Sequence, residues 1–331
     1  MIFRPSFAAD AAPLPAENRL VARLEALLNR NGVPHEIWRP ATLSEAGDMA
    51  RKASTASPIV AAAGGDGTIN AVSGGLLGTE CRLGILPIGS GNDIARGLQI
   101  PRKLSAAVAL LANGYRLLKS GTESPVKKSS RKNPTASILK IDAGVFATAN
   151  ETDAASDRSR QYDRHFINTL GFGFDGRVAW NASRMRFLRG KWKYLGGVLQ
   201  SLLFYRATDM TITADGETYS GRYLMATVAN GPFEGGGIHI APRADPGDGL
   251  FDLVMIHDTG VLARIPLLLR VLFSGASDSP DIRLKQCRTV RVTSSRPVMA
   301  HADGEVISRR LTKFSATIRP VQIAVIGPGI P

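Results

Sequence analysis

Apolar positions in the first hundred residues alternate between helical and strand spacing. In Ala16–Arg30, Leu20, Leu24, Leu27 and Leu28 share one helical face, and Gly32 follows as a stop. His35–Trp38 reads as a short strand. Thr42-Leu43-Ser44-Glu45 has capping-box spacing and predicts the start of a helix. Pro58–Ala63 is a small apolar strand that runs into a glycine turn, and Thr68–Leu77 reads as the next helix. Leu83–Leu86 is another buried strand, ending in Pro87-Ile88-Gly89-Ser90-Gly91-Asn92-Asp93, with a helix predicted from Ile94. This strand–helix order predicts a parallel sheet with helices on its faces.

Ser120–Ala136 breaks the pattern. Lys127, Lys128, Arg131 and Lys132 stand there among Ser, Pro and Thr, which predicts a flexible basic loop. Asn150–Asp163 is a second polar loop. Beyond Ile138 short strands dominate: Ile138–Asp142, His165–Phe172, Met210–Ala214, Tyr223–Ala229, Leu250–Ile256, Thr289–Thr293 and Phe314–Ile318. Asp215-Gly216 is a hairpin signal. Helical patterns interrupt at Val178–Tyr205 and Val261–Phe273. The second part is therefore expected to be an antiparallel β-sandwich. The expected boundaries are an α/β domain at 1–118, a basic insertion at 119–137 and a β-sandwich domain at 138–331.

Length supports two domains, since 331 residues exceed one small core. Only Cys81 and Cys287 are present, with no CxxC spacing, so zinc and dithiol chemistry are not indicated and a reducing compartment is expected. No apolar run reaches spanning length; the richest, Ile265–Phe273, contains Arg270. A cytoplasmic protein that can lie on a membrane is the expectation. The net charge of +13 favours an anionic partner. No zinc-finger, helix-turn-helix or aromatic RNA-binding motif accompanies it, so nucleic acid is not the expected partner. Between Arg177 and Thr208 there is no Asp or Glu, while basic residues interleave with Trp180, Phe187, Trp192 and Tyr194. Such a face suits an anionic bilayer, although a core helix with a solvated basic face would look the same.

The sharpest chemical signal is Gly64-Gly65-Asp66-Gly67-Thr68-Ile69-Asn70, directly after a strand. Glycines let backbone N–H groups approach a phosphate, and a following helix adds its positive end. An ordinary strand-to-helix turn is the competing reading, and three glycines with Asp, Thr and Asn favour the phosphate site.

This segment resembles the GGDGT signature shared by diacylglycerol kinases, sphingoid-base kinases, NAD kinases and phosphofructokinases. Pro87 to Arg96 is similar to the P-x-G-T-x-N-D-x-A-R segment of the diacylglycerol kinase catalytic family, with Ser90 in place of threonine. Ala229-Asn230-Gly231 with Gly235-Gly236-Gly237, Pro242 to Asp252, and Asp303-Gly304-Glu305 resemble three further family segments, in order along almost the whole chain. The resemblance implies a three-layer α/β nucleotide-binding domain, NAD kinase- or diacylglycerol kinase-like, with a C-terminal antiparallel β-sandwich. It implies an ATP- and Mg²⁺-dependent lipid kinase acting on diacylglycerol or a similar lipid. With the basic and aromatic residues above, a peripheral protein at an anionic membrane surface is expected, and a homodimer is one assembly compatible with the sequence.

By the same resemblance Gly64, Gly65, Asp66, Gly67, Thr68, Ile69 and Asn70 hold ATP phosphates, with Thr42 and Ser90 nearby. Asp66 and Asp93 help organise nucleotide and magnesium, and Asp142 belongs to the same acidic network. Asp245, Asp248 and Leu250 match a structural Mg²⁺ site. Asp303 and Glu305 match the catalytic acidic motif, with the base left open between them. The chemistry agrees: an alcohol attacking a γ-phosphate needs a carboxylate to take its proton, and the phosphoryl group needs positioning and charge neutralisation. Asp248-Gly249 and Asp303-Gly304 are also good turn sequences. Ile2 to Ala8 stands where the family has a strand and an N-P-x-x-G loop, with Arg4 for Asn and Ala8 for Gly. The alternatives are a sphingoid-base or ceramide kinase, a soluble-substrate kinase such as an NAD kinase, and a non-catalytic lipid- or nucleotide-binding protein.

Overall fold

The computed structural model describes residues 2–3, 15–121, 135–148, 164–184, 196, 198, 200–202 and 205–329. The predicted basic insertion, the Asn150–Asp163 loop, the Arg4 and Ala8 positions and most of the aromatic–basic stretch after Arg184 lie outside the described residues. The chain divides into two compact units, Met1–Ile141 with Val321–Pro331, and Asp142–Pro320. Val321–Pro331, expected with the second domain, clusters with the first unit.

In the first unit β1 (Ile2–Phe3), β2 (Ile59–Gly64) and β3 (Arg82–Pro87) pair in parallel, and the end of β12 (Glu305–Pro328) joins β3 through Val325↔Leu83. The β2 run Ile-Val-Ala-Ala-Ala-Gly is buried on both faces, as parallel strands covered by helices are. Five helices follow in order: α1 (Pro15–Arg30), α2 (Leu43–Ser54), α3 (Asp66–Leu76), α4 (Asp93–Gly97) and α5 (Leu104–Ser120). Thr42 caps α2 as predicted: its hydroxyl accepts from Glu45 N–H at 3.1 Å, and the Glu45 carboxylate reaches back to Ala41 N–H at 2.5 Å. α2 lies close against α3 because Gly75 has no side chain; a Cβ there would meet Gly47 O at 2.2 Å. His35–Trp38 forms no strand, only an isolated bridge at Trp38. Its run is too short for a ladder, and the His35 ring bonds back to Val33 O at 2.8 Å.

The second unit is antiparallel. β12, β11 (Thr289–Ala302), β6 (Thr169–Gly173), β8 (Glu217–Ala229), β9 (Phe251–His257) and β10 (Ile282–Cys287) pair in that order. β7 (Thr208–Ala214) joins β8 through the predicted Asp215-Gly216 hairpin, whose residues take φ of +46° and +92° as a tight primed turn requires. β4 (Ala136–Thr148) pairs with β5 (His165–Phe166). Along β9, Phe251, Leu253 and Met255 enter one apolar cluster with β7, β11 and β12, while Val254 and Ile256 enter a second. The second cluster is covered by α6 (Phe174–Arg184) and α7 (Val261–Ser274) through Phe174, Val178, Leu267 and Val271. Strand β10 is absent from the sequence reading because half of Ile-Arg-Leu-Lys-Gln-Cys is polar; it is a strand through its ladder to β9.

Candidate active site

In the first unit β2 and β3 end side by side, with Gly64 opposite Pro87. The two glycine segments therefore leave adjacent carboxyl ends together. Gly64 O accepts from Ile88 N–H at 3.1 Å and Gly89 N–H at 3.2 Å. A Cβ on Gly89 would meet Gly65 Cα at 2.3 Å, and one on Gly64 would meet Thr68 Cβ at 2.5 Å. Only glycine permits these approaches. α3 starts at Asp66, so its first N–H groups, which have no partner within the helix, open at the strand end.

Side chains of the two segments hold each other. Asp66 accepts from Ile94 N–H at 3.0 Å. Burial raises its pKa, opposed by the backbone N–H groups of Ile94, Asp93 and Asn92 and by Arg96. Asn92 is left-handed, at φ +56°, and its amide donates to Gly89 O at 2.8 Å; its Oδ1 is buried with no hydrogen-bond partner. Asp93 is buried and paired with Arg96. Ser90 is exposed at the tip, and Thr68 is buried. Ile69 is a core residue that the loop brings along, and Asn70 O accepts from the Ser73 hydroxyl. The exposed Thr42 hydroxyl is engaged as the α2 cap.

In the second unit Asp303 and Glu305 flank the β11–β12 turn and have different surroundings. Asp303 is buried, at φ +48°. Its carboxylate accepts from Ile167 N–H at 3.0 Å, Asn168 N–H at 2.9 Å and Thr169 N–H at 2.9 Å. Its own N–H donates to Thr169 O at 2.8 Å. These bonds divide the predicted strand His165–Phe172 into β5 and β6. Burial raises the Asp303 pKa, and the three N–H groups oppose it. Glu305, two residues on, is exposed.

The segment 242–252 is closed by its own carboxylates. Asp245 accepts from Gly247 N–H at 3.0 Å and Asp248 from Leu250 N–H at 2.9 Å. The buried Asp142 accepts from Gly249 N–H at 2.7 Å and donates its backbone N–H to Pro246 O at 2.6 Å. Asp245 and Asp248 are exposed. Partial desolvation of its carboxylate and the charges of Asp245 and Asp142 raise the Asp248 pKa, opposed by the Leu250 N–H. The structure thus brings Asp142 to Asp245, Asp248 and Leu250. Each carboxylate keeps a second oxygen, and carboxylate and carbonyl oxygens suit Mg²⁺.

Sequence reasoning missed one cluster. Asp175, Glu234 and His301 are buried, with ligand-type atoms within 4.8 Å of one another. The available signal was position: His301 stands two residues before Asp303, and Glu234 directly before Gly235-Gly236-Gly237.

Residues 12–118 match the family described as "Diacylglycerol kinase catalytic domain", and residues 168–327 match the "YegS C-terminal NAD kinase beta sandwich-like domain". The chain belongs to the diacylglycerol kinase family. It is an ATP-dependent lipid kinase of this family. Relatives include a protein named "Probable lipid kinase YegS-like" from Chromohalobacter salexigens, 29% identical across 86% of this chain and 82% of that one. The diacylglycerol kinase of Mycobacterium tuberculosis is 28% identical across 80% and 75%. That of Bacillus subtilis is 26% identical across 78% and 76%. A crystal structure of a Bacillus anthracis diacylglycerol kinase shares the fold at TM-score 0.65 and 18% identity, covering 98% of this chain and 96% of that one. An Archaeoglobus fulgidus NAD kinase in complex with ATP aligns at TM-score 0.50 and 12% identity across 99% and 93%. Among the described residues of this lipid kinase, no helix is long and apolar enough to cross a membrane.

Proposed function

We propose that this lipid kinase transfers the γ-phosphoryl group of ATP to the hydroxyl of diacylglycerol or a similar lipid, with Glu305 as the general base. The observation that carries the assignment of the base is the contrast within one turn. The Asp303 carboxylate is buried and accepts three backbone N–H groups; Glu305 is exposed. A base must reach the hydroxyl it deprotonates, and Asp303 is held by its own fold. Asp303 is then the residue that fixes the turn. The backbone N–H groups of the Gly64–Asn70 and Gly89–Asp93 segments hold nucleotide phosphates, with Ser90 and Asp93 beside them. Asp245, Asp248 and the Leu250 carbonyl would hold a structural Mg²⁺, with Asp142 steadying their loop. Asp66 and Asp93 would help place the nucleotide's Mg²⁺, which would supply charge neutralisation.

A lipid acceptor is supported by an apolar slot within the second unit, between the sheet and α7. Phe174, Leu202, Met225, Ile238, Ile256 and Leu268 line it. Ile265, Leu269 and Phe273 recur every fourth residue along α7 and are exposed, Phe273 to 81%. Diacylglycerol is chosen because several relatives carry that name. We place the enzyme peripherally on anionic membrane surfaces, in keeping with its net charge of +13.

The test is phosphoryl transfer from labelled ATP to diacylglycerol, monoacylglycerol, ceramide and sphingosine in mixed micelles with Mg²⁺. Label in diacylglycerol that falls roughly 10²- to 10⁴-fold in Glu305→Gln is expected. Label confined to another lipid overturns the substrate, and full activity in Glu305→Gln overturns the base.

A further inference from the structure

The buried trio beneath the β11–β12 turn has no part in the chemistry above. His301 Nε2 lies 3.1 Å from Asp175 Oδ2 and 2.9 Å from Glu234 Oε1, and neither contact is aligned as a conventional hydrogen bond. The other ring nitrogen, Nδ1, accepts from Gly304 N–H at 3.3 Å. That partner places the imidazole proton on Nε2, pointing toward the two carboxylates. Thr227 on β8 donates to the same Asp175 oxygen at 2.8 Å. Glu234 is fixed by its backbone, which exchanges two 2.8 Å bonds with Ile238 around the triple glycine. The strand beside the trio must be glycine: a Cβ on Gly171 would meet His301 Nε2 at 2.1 Å and Asp175 Oδ2 at 2.3 Å.

These separations are too close for a tetrahedral zinc site. Ligand atoms about 2.0–2.2 Å from a tetrahedral ion stand roughly 3.4 Å apart, wider than the 2.9 and 3.1 Å found here. Glu234 Oε2 is buried with no hydrogen-bond partner, which disfavours its ionised form.

We propose that Asp175, Glu234 and His301 are positioning residues for phosphoryl transfer: holding one shared proton, they fix Gly304 through His301 and so aim Glu305. The inference rests on the reading of Glu305 as base. The only backbone between His301 and Glu305 is Ala302-Asp303-Gly304, and it is clamped from two sides. Asp303 is bound to Ile167, Asn168 and Thr169, and Gly304 to His301. Loss of the shared proton puts a second negative charge beside Asp175 and pulls His301 from its place under Gly304. The titratable groups facing the trio are Asp175 from α6, Glu234 from the loop after β8 and His301 itself. Asp303, on the turn, has His165 of β5 as its charged neighbour. Burial, with Asp175 beside it, pushes Glu234 up to about 8. Burial disfavours the charged imidazole while Asp175 and Glu234 favour it and raise His301. The Gly304 N–H on Nδ1 keeps the ring neutral, so the proton the trio shares lies between Glu234 and Asp175. The trio therefore titrates as a unit.

The test compares wild type, Glu234→Gln, His301→Gln and Glu305→Gln across pH 6–9. Cooperative unfolding of each serves as the control. Wild-type kcat is expected to fall as pH rises through about 8, and Glu234→Gln, a fixed neutral amide, to show no such fall relative to its own kcat at pH 6. His301→Gln is expected to lose roughly 10- to 100-fold in kcat with KM for ATP unchanged. The same alkaline fall in wild type and Glu234→Gln, or a His301→Gln effect confined to KM, overturns the proposal. Nitrogen-15 histidine NMR reads the proton without activity. The signals lost in His301→Gln should move through this pH range in wild type and stay fixed in Glu234→Gln. Immobile wild-type signals overturn the shared proton even if Glu305→Gln confirms the base. If Glu305→Gln is fully active, the reading of the base fails, and the aim assigned to the trio fails with it. The NMR result then stands for the shared proton alone.

Discussion

At the scale of single residues, the two acids of one short turn separate into different roles. Asp303 is bonded to three backbone N–H groups, so Asp303→Asn removes charge-assisted acceptors from a buried site. A loss of about 1–3 kcal/mol is expected in chemical denaturation. Glu305→Gln should leave the denaturation midpoint unchanged while removing turnover, because the side chain is exposed. The opposite ranking would return Asp303 to the role of base. Thr42→Ala should cost about 1 kcal/mol through loss of the α2 cap, a purely structural effect if KM for ATP stays put. The Asp-Gly-Glu string carried the motif but not this division of labour. A carboxylate's partners here are backbone groups more than a hundred residues earlier, and no local pattern encodes them. The Asp175–Glu234–His301 trio was illegible for the same reason: three polar residues from a helix, a loop and a strand meet only when the sheet forms.

At the scale of elements, the strand-and-helix alternation of the first unit was read closely because its signals are local: apolar runs, a capping box, glycine turns. β2, α3, β3 and α4 stand within one or two residues of expectation. Failures fell where local signals conflict with tertiary pairing. His35–Trp38 has the composition of a strand and no ladder to join. β10 has a ladder and too little apolar content to be noticed. Close contact between elements is the more fragile feature. Gly75→Ala drives a methyl toward Gly47 O, 2.2 Å from an ideal Cβ, and toward Ala50 at 2.8 Å. It should destabilise by about 1–3 kcal/mol, with a lower thermal midpoint as the readout. A neutral result would mean that α2 and α3 can part without cost.

For the molecule as a whole, the sign of the pH response follows from the direction of the shifts. Glu234 rises from an ordinary 4.5 to about 8 on folding. The native state therefore binds the extra proton where the unfolded chain does not. Stability from this group is complete below pH 4.5 and is lost as pH rises through about 8. Asp175 shifts the other way, lowered by His301 and Thr227 against the cost of burial, and its contribution is lost in acid. From this group stability should decline from about pH 4.5 to about 8 and then level, and Glu234→Gln should flatten that decline. A wild-type midpoint that is level over this range would contradict the assignment. The two-part division and the sandwich were expected from the change in texture near residue 138. The return of Val321–Pro331 to the first unit was not, because a single long strand carries no mark where its neighbours change.

That return sets the order in which the enzyme can be completed during synthesis. The first unit's sheet includes a strand segment, around Val325, that pairs with Leu83 and packs Ile326 against Gly114. A ribosome delivers that segment after every residue of the second unit. The nucleotide-side sheet thus waits, with the β3 edge open, until translation has passed Val325. Nascent chains stalled before this point should remain sensitive to protease in the first unit even when the second has folded.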